Sequence, residues 1–185
     1  MGGRADGCRR EEPILSTSGQ PTPYHQLGLF IVSFQHAEAA INEILVRLAN
    51  ADDEAVRILV NELTYAQRLK TADVMFARFV DLQREPDLSA KADFHKLMVD
   101  LKRLGERRND LVHSKYTRWI NIAGVAGLIR EHSKLRASEG VREKHEEELL
   151  PEAFTADFEQ LGSAIEGLET FRLKIIDWLY PEEQA

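Results

Sequence analysis

The stretch Glu106-Arg107-Arg108-Asn109-Asp110-Leu111-Val112-His113 ends a segment whose apolar residues recur at spacings of three, four and seven. These apolar residues are Phe94, Leu97, Leu101, Leu104 and Leu111. Such spacing predicts an amphipathic helix with one buried face. The next core-facing position after Leu104 is 108, which holds an arginine. A desolvated guanidinium loses much of its hydration energy, so Arg108 needs either a carboxylate partner or an opening to a site that uses its charge. Glu38 is a candidate partner, and a solvent-facing position for that glutamate is the alternative.

His113 follows Arg108 by five residues, and histidine is the side chain that exchanges a proton near neutral pH. At about 100° per residue, Asn109 and His113 lie about 40° apart on one helix face, whereas Arg108 lies roughly 140° from His113. Arg108 and His113 converge only if the helix ends or bends near His113, or if a second copy of the helix packs against the first. We therefore expect a homodimer whose two-fold axis brings two arginines and two histidines together.

The sequence Arg108-Asn109-Asp110-Leu111-Val112-His113 resembles the signature of the HEPN superfamily, an arginine, a polar residue and a histidine after a short gap. The resemblance spans roughly residues 24–180. Members are all-α bundles, commonly dimeric, and many are metal-independent endoribonucleases of toxin–antitoxin, phage-defence or RNA-processing systems. The resemblance implies that Arg108 and His113 are the catalytic pair and that Asn109 supports them. It also implies no cofactor, and an antitoxin or a nucleotidyltransferase as partner. Some toxins of this superfamily carry a tyrosine two places after the histidine, whereas Tyr116 stands three places after His113.

The charges of the chain are unevenly distributed. Residues 102–118 hold six cations and two carboxylates, in a chain whose net charge is −7. A basic patch on an acidic body suits RNA binding at one place. A solvated helix end whose cations offset the helix dipole is the alternative. We expect the RNA contacts to come from Lys102, Arg107, Lys115, Tyr116 and Arg118. Tyr116 and Trp119 are able to stack on bases, although packing is the commoner use of such rings.

Length and composition predict one soluble domain. The chain has 185 residues, 43% hydrophobic and 30% charged, which is long enough for a proper core. The single cysteine, Cys8, allows no internal disulfide and favours a reducing compartment. The sequence shows neither a membrane-length apolar run nor a signal-peptide core. These features together predict a cytoplasmic protein.

The chain divides into a disordered leader, residues 1–22, and a single helical domain, residues 23–181. We predict long helices over about 24–49, 64–84, 87–113 and 155–180, and a short one over 54–62. The expected fold is therefore an all-α antiparallel four-helix bundle with one additional short helix. For residues 115–135 we prefer a small β-hairpin over a short helix, and residues 142–148 are interpreted as a solvated connection.

Two other motifs predict no chemistry. The run His145-Glu146-Glu147-Glu148-Leu149 lacks the second histidine of a zinc helix, so no metal site is expected. The segment 124–127 has two glycines but no following lysine, and it is interpreted as a turn rather than a phosphate loop. Four histidines outside the motif are dispersed along the chain, and each is expected at the surface or on the flank of a helix: His25, His36, His95 and His132.

Two functions follow from these residues. In the first, a metal-independent endoribonuclease uses the 2′-hydroxyl of RNA as nucleophile, His113 moves the proton, and Arg108 binds the phosphate. In the second, a catalytically silent dimeric module of the same fold binds RNA, a nucleotide or a protein, and Arg108 forms a structural ion pair. Cleavage of RNA in excess chelator separates the two, because the first function needs no metal and the second leaves RNA intact, and a nucleotidyltransferase or small antitoxin encoded next to this gene would favour the first.

Overall fold

The computed structural model describes residues 22–136 and 140–181, without the side chains of residues 134–136. Residues 1–21, with Cys8 and nearly all of the predicted leader, lie outside this part of the chain. The elements in chain order are α1 (Pro23–Ala49), α2 (Asp53–Asn61), α3 (Tyr65–Asp81), α4 (Leu88–Val112), β1 (Lys115–Ile120), β2 (Ala126–Arg136), β3 (Val141–Leu149), a short 3₁₀ turn (Pro151–Phe154) and α5 (Thr155–Leu179). The fold is mostly helical, with one small antiparallel sheet.

Side-chain caps begin four of the helices where the sequence places a capping residue. Thr22, Asp52 and Asp87 each accept a hydrogen bond from the backbone N–H three residues on, and Pro23 occupies the first turn of α1. Thr64 and Gln67 form a reciprocal capping box at the start of α3. The predicted helix starts are therefore confirmed to within a residue or two, since each depends on contacts within one turn of chain.

Four long helices enclose an aromatic core. Helix α1 packs against α3 and α5, and α4 packs against the same two helices. Phe76 stacks on Phe94 with ring centroids 4.2 Å apart, and Phe171 meets both rings edge-on at 5.3 and 5.0 Å. Such edge-to-face pairs stabilise a core beyond the area they bury. Lys174 ties α5 to the start of α4 by a 2.6 Å bond to Asp87, and this bond, with those from Ser89 and the Ala90 N–H, holds the pKa of that carboxyl far below its usual range.

Helix α1 is, among the described residues, the one helix long and apolar enough to cross a membrane by length and composition. Phe30, Phe34, Ala37, Ile41 and Ile44 on this helix are at most 1% exposed, and all lie in the protein core. The central helix of a soluble protein has these properties, so the fold is compatible with a soluble protein.

The expected all-α fold class is correct only in its helical part, because β1, β2 and β3 form a three-stranded antiparallel sheet of order β1-β2-β3. The preferred β-hairpin is present as β1 and β2, joined by a turn in which Asn121 accepts from Val125 N and Gly124 adopts φ 80°. Residues 142–148 are largely exposed, as expected, but they are not a connection, because they belong to β3. Buried Leu128 and its cross-strand partner Leu149 hold the sheet against the bundle.

Two helical glycines offer a matched test of the packing of α4. A Cβ on Gly105 would come within 2.4 Å of the Tyr65 ring, whose hydroxyl donates to Leu101 O, whereas a Cβ on exposed Gly162 would meet no atom within 4 Å. We predict that Gly105→Ala lowers the free energy of unfolding by about 1–3 kcal/mol through overpacking. Gly162→Ala should raise it by up to about 1 kcal/mol, the helix-propensity gain. Chemical denaturation of both variants measures the difference, and equal effects would contradict the packing of Tyr65 on α4.

Candidate active site

Arg108 lies on the bundle side of α4, as its place in the apolar pattern predicts. Its guanidinium carbon is 5.9 Å from the centre of the Phe34 ring on α1, and its Nε is buried without a hydrogen-bond partner among the described residues. Its Nη1 donates a 3.1 Å hydrogen bond to Asn109 Oδ1. The contact across the helix interface is therefore a cation–π contact, and Glu38, the carboxylate considered from the sequence, forms no ion pair with Arg108.

His113 is the residue that ends α4. Its backbone N–H bonds to Asn109 O at 3.0 Å, and its φ and ψ of −97° and 11° leave the helical region. The exposed side chains of His113 and Asn109 line the same open groove, of about 720 Å³, between the end of α4 and the sheet. Arg108 does not line it. The structure therefore brings Asn109 and His113 together and connects Arg108 to the groove only through the Asn109 amide.

Two further histidines, His132 on β2 and His145 on β3, line the same cavity, which we call the histidine groove. They are cross-strand partners, and their rings stack with centroids 5.8 Å apart at 26°. His132 Nε2 lies 3.9 Å from Asp110 Oδ2, and His145 Nε2 lies 3.5 Å from Glu143 Oε2. Three imidazoles thus face one cavity, two of them held by the pairing of β2 with β3.

Charged side chains of both signs complete the histidine groove. The cations are Lys115, Arg142 and Lys144, and the carboxylates are Asp110, Glu131 and Glu146. Among the described residues that line the groove, three cations are thus accompanied by three carboxylates.

A network of ion pairs places the sheet against the end of α4. Arg107 binds both carboxylate oxygens of Glu147 on β3, at 3.0 and 3.1 Å, and also donates to Asp157 on α5 at 3.1 Å. Arg130 on β2 lies 2.8 Å from Glu147 Oε2, outside the N–H direction of a hydrogen bond, and its side chain is only 8% exposed. Burial raises the pKa of Glu147, but the bonds from Arg107 and the charges of Arg107 and Arg130 outweigh it and lower the pKa overall. Arg107, predicted to contact RNA, is thus held in the ion-pair network.

The other predicted RNA contacts differ in exposure. Lys102, Lys115 and Arg118 are exposed, and of these Lys115 alone lines the histidine groove. The Tyr116 hydroxyl donates to Leu111 O at 2.6 Å, and burial raises its pKa, so this ring packs on the core. Trp119 lies on its cross-strand partner Gly127, where a Cβ would come within 2.8 Å of the indole. Both aromatic rings are therefore used in packing.

The sequence carried a signal for the two hairpin histidines that motif analysis missed. Read inward from each end, Leu128-x-Arg130-x-His132 and Leu149-x-Glu147-x-His145 match leucine with leucine, arginine with glutamate and histidine with histidine. Such matched pairs at alternate positions are typical of two antiparallel strands that share a buried face. In the described part of the chain, no group of three or more His, Cys, Asp or Glu side chains is arranged to hold a metal ion.

Comparison with known proteins adds no relative, because no family model, no curated protein and no solved structure matches this chain. The HEPN resemblance and the function it implies therefore stay predictions, carried by the motif residues.

The ion-pair network predicts a pH-dependent contribution to stability. Glu147→Gln should lower the free energy of unfolding at neutral pH by about 2 kcal/mol, below the range of a fully buried pair because Glu147 is 35% exposed. Since folding lowers the pKa of Glu147, this contribution is complete above the ordinary pKa of glutamate and is lost in more acidic solution. Denaturation at a series of pH values should show the difference from wild type shrinking as the pH falls. Exposed Glu148→Gln, which removes the same charge one residue away, is the control and should change stability little.

Proposed function

We propose that this protein is a cytoplasmic, metal-independent endoribonuclease that cleaves RNA in the histidine groove. The observation that carries the proposal is the gathering of His113, His132 and His145 on one open cavity that Lys115 and Lys144 also line. Imidazoles supply proton transfer near neutral pH and ammonium groups bind phosphate. Cleavage of RNA by its own 2′-hydroxyl requires these two kinds of group and no metal.

His113 is the group we assign to proton transfer. Its side chain is exposed and its backbone is fixed by the end of α4, so the imidazole is presented to the groove from a rigid element. It would take the proton of the 2′-hydroxyl as this oxygen attacks the adjacent phosphorus, or return a proton to the leaving 5′-oxygen. The products are a 2′,3′-cyclic phosphate and a 5′-hydroxyl.

Asn109 is the group we assign to phosphate binding, with Arg108 behind it. Asn109 Oδ1 accepts a hydrogen bond from the Arg108 guanidinium. This bond orients the amide, so that its NH₂ group is the one left to bind a ligand. A hydrogen bond from a charged donor polarises the amide that accepts it and strengthens the bond that the amide donates. Arg108 thereby acts on the phosphate through Asn109, which fits its position outside the groove.

The charge balance of the histidine groove favours a second candidate, the catalytically silent binding module. Among the described residues that line the groove, three carboxylates accompany three cations, so their fixed charges give a phosphate little net attraction. A module that binds RNA, a nucleotide or a protein needs no proton transfer, and it would leave RNA intact.

The chemistry divides the two candidates. We predict that the protein cleaves RNA in excess chelator, leaves a 2′,3′-cyclic phosphate or its hydrolysed form, and spares both DNA and RNA with a 2′-O-methyl at the scissile nucleotide. His113→Ala should lower the rate by about 10²–10⁴, the usual share of acid–base catalysis, while RNA binding survives. His36→Ala removes an exposed histidine that does not line the groove and serves as the control. Cleavage that stops with chelator, or RNA left uncut across varied sequences, would refute the proposal.

Arg108 provides a second test, which separates catalysis from folding. Because its Nε is buried without a partner among the described residues, Arg108→Leu should leave the thermal midpoint unchanged or higher. Cleavage should nevertheless fall by roughly tenfold or more, since a hydrogen bond from a charged group is worth about 1.5–3 kcal/mol. Arg103→Leu removes an exposed cation of the same helix and should keep the activity. Unfolding of Arg108→Leu would show that the arginine is structural.

A further inference from the structure

His132 on β2 and His145 on β3 form a stacked pair, and His145 places a second exposed imidazole in the histidine groove. The side chain of His145 is 54% exposed and that of His132 is 13% exposed. Strand β1 pairs with β2 only as far as Glu131, so both histidines lie where β2 and β3 continue as a two-stranded ribbon beyond β1. The end of α4, with His113, borders the same cavity.

We propose that His145 is the second proton-transfer group of RNA cleavage, paired with His113 in the same chain, and that His132 positions it. This inference rests on the proposed endoribonuclease function and deepens it. It also differs from the expectation drawn from the sequence, in which a second chain supplied the second histidine.

The reaction balances with these two imidazoles and no other reagent. One neutral imidazole takes the proton of the 2′-hydroxyl while the 2′-oxygen forms its bond to phosphorus. The other, protonated, gives its proton to the 5′-oxygen while the bond from phosphorus to that oxygen breaks. The two groups end the step with their protonation states exchanged, and a second proton transfer through water restores them.

His145 rather than His132 is assigned to the substrate because of their exposure. A ring that is half exposed reaches a phosphate in the groove, whereas His132 is nearly covered and lies between His145 and Asp110. His132 stacks on the His145 ring and thereby favours one orientation of it, and His132 Nε2 lies 3.9 Å from Asp110 Oδ2, beyond hydrogen-bond distance. This is the arrangement of a positioning residue behind a catalytic one.

The charged groups around the pair come from every element of the groove. In the described part of the chain they are Asp110 from α4, Lys115 from β1, Glu131 from β2, and Arg142, Glu143, Lys144 and Glu146 from β3. Carboxylates favour the protonated imidazole and cations favour the neutral one.

The pH dependence of single-turnover cleavage tests the assignment. The wild type should give a bell-shaped profile, with one limb from each proton-transfer group. His145→Gln should lower the maximal rate by about 10²-fold or more and remove one limb, and His113→Gln should remove the other. His36→Gln, an exposed histidine outside the groove, should keep both limbs.

A substrate with sulfur in place of the bridging 5′-oxygen distinguishes the acid from the base. Its thiolate departs without a proton, so the variant that lacks the general acid should regain most of its rate on this substrate. One of His113→Gln and His145→Gln should be rescued and the other should not. A loss caused only by disturbed structure would be the same on both substrates.

The role of His132 has its own readout. His132→Phe keeps an aromatic ring against His145 and should retain most of the activity with both limbs of the profile. His132→Ala removes the stacking partner and should slow cleavage about tenfold or more, with both limbs still present, because the order of the His145 ring is lost. Loss of one limb in His132→Phe would instead make His132 the proton carrier and overturn the assignment to His145.

The outcomes separate this inference from the function it depends on. If the wild type cuts RNA in chelator but His145→Gln keeps the bell shape and the rate, the second proton carrier lies elsewhere and the inference is wrong while the endoribonuclease stands. If neither histidine variant is rescued by the sulfur substrate, the pairing is also wrong. If the wild type cuts no RNA, the proposed function fails and the inference falls with it.

Discussion

The interaction on which the histidine groove depends is the ion pairing of Glu147 with Arg107 and Arg130. It joins α4, β2 and β3, and through Asp157 it includes α5. A carboxylate and a guanidinium that lose water regain that energy only in good geometry, and Arg107 achieves this with a two-oxygen contact to Glu147. Apolar contact at Leu128 and Leu149 holds the sheet on the bundle, but the hydrogen bonds from Arg107 to Glu147 fix the position of the sheet relative to the end of α4. His113, His132 and His145 share a cavity because the position of the sheet relative to α4 is fixed.

The helices could be predicted from the sequence because their determinants are local. Thr64 and Gln67 form their capping box three residues apart, and the apolar spacing that leads to Leu111 repeats within single turns. The sheet could not be predicted in full. The charged residues 142–148 have the composition of a solvated connection, and only their pairing with β2 shows that they form a strand. Glu147 is then opposite Arg130, and a charge that the sequence places in solvent belongs to a partly buried ion pair. Helix periodicity depends on neighbours along the chain, whereas strand pairing depends on residues at a distance.

In the candidate site, too, the residues that depend on local spacing could be predicted and those that depend on strand pairing could not. His113 and Asn109 could be placed on one face from their four-residue spacing, and the structure shows them on one groove. Arg108 was expected at a core-facing position of α4, and it lies there, but it contacts the Phe34 ring rather than a carboxylate. Arg107 was interpreted as an RNA contact because charge alone does not show which of two adjacent arginines faces a carboxylate on another element. His132 and His145 were missed because thirteen residues separate them in the chain, and only the hairpin register brings them together.

The sheet also supplies positive charge that the C-terminal end of α4 lacks. The carbonyls at the C-terminal end of α4 carry the negative end of the helix dipole, which repels a phosphate. A site for RNA at this end therefore needs cations from elsewhere, and Lys115, Arg142 and Lys144 all belong to the strands. The same strands bring in His132 and His145, so phosphate binding and the second proton carrier would have one structural origin. An isolated helical bundle with Arg108 and His113 at the end of α4 would lack both. If RNA is cleaved in this groove, the three-stranded sheet is the part of the fold that would supply both to a single chain.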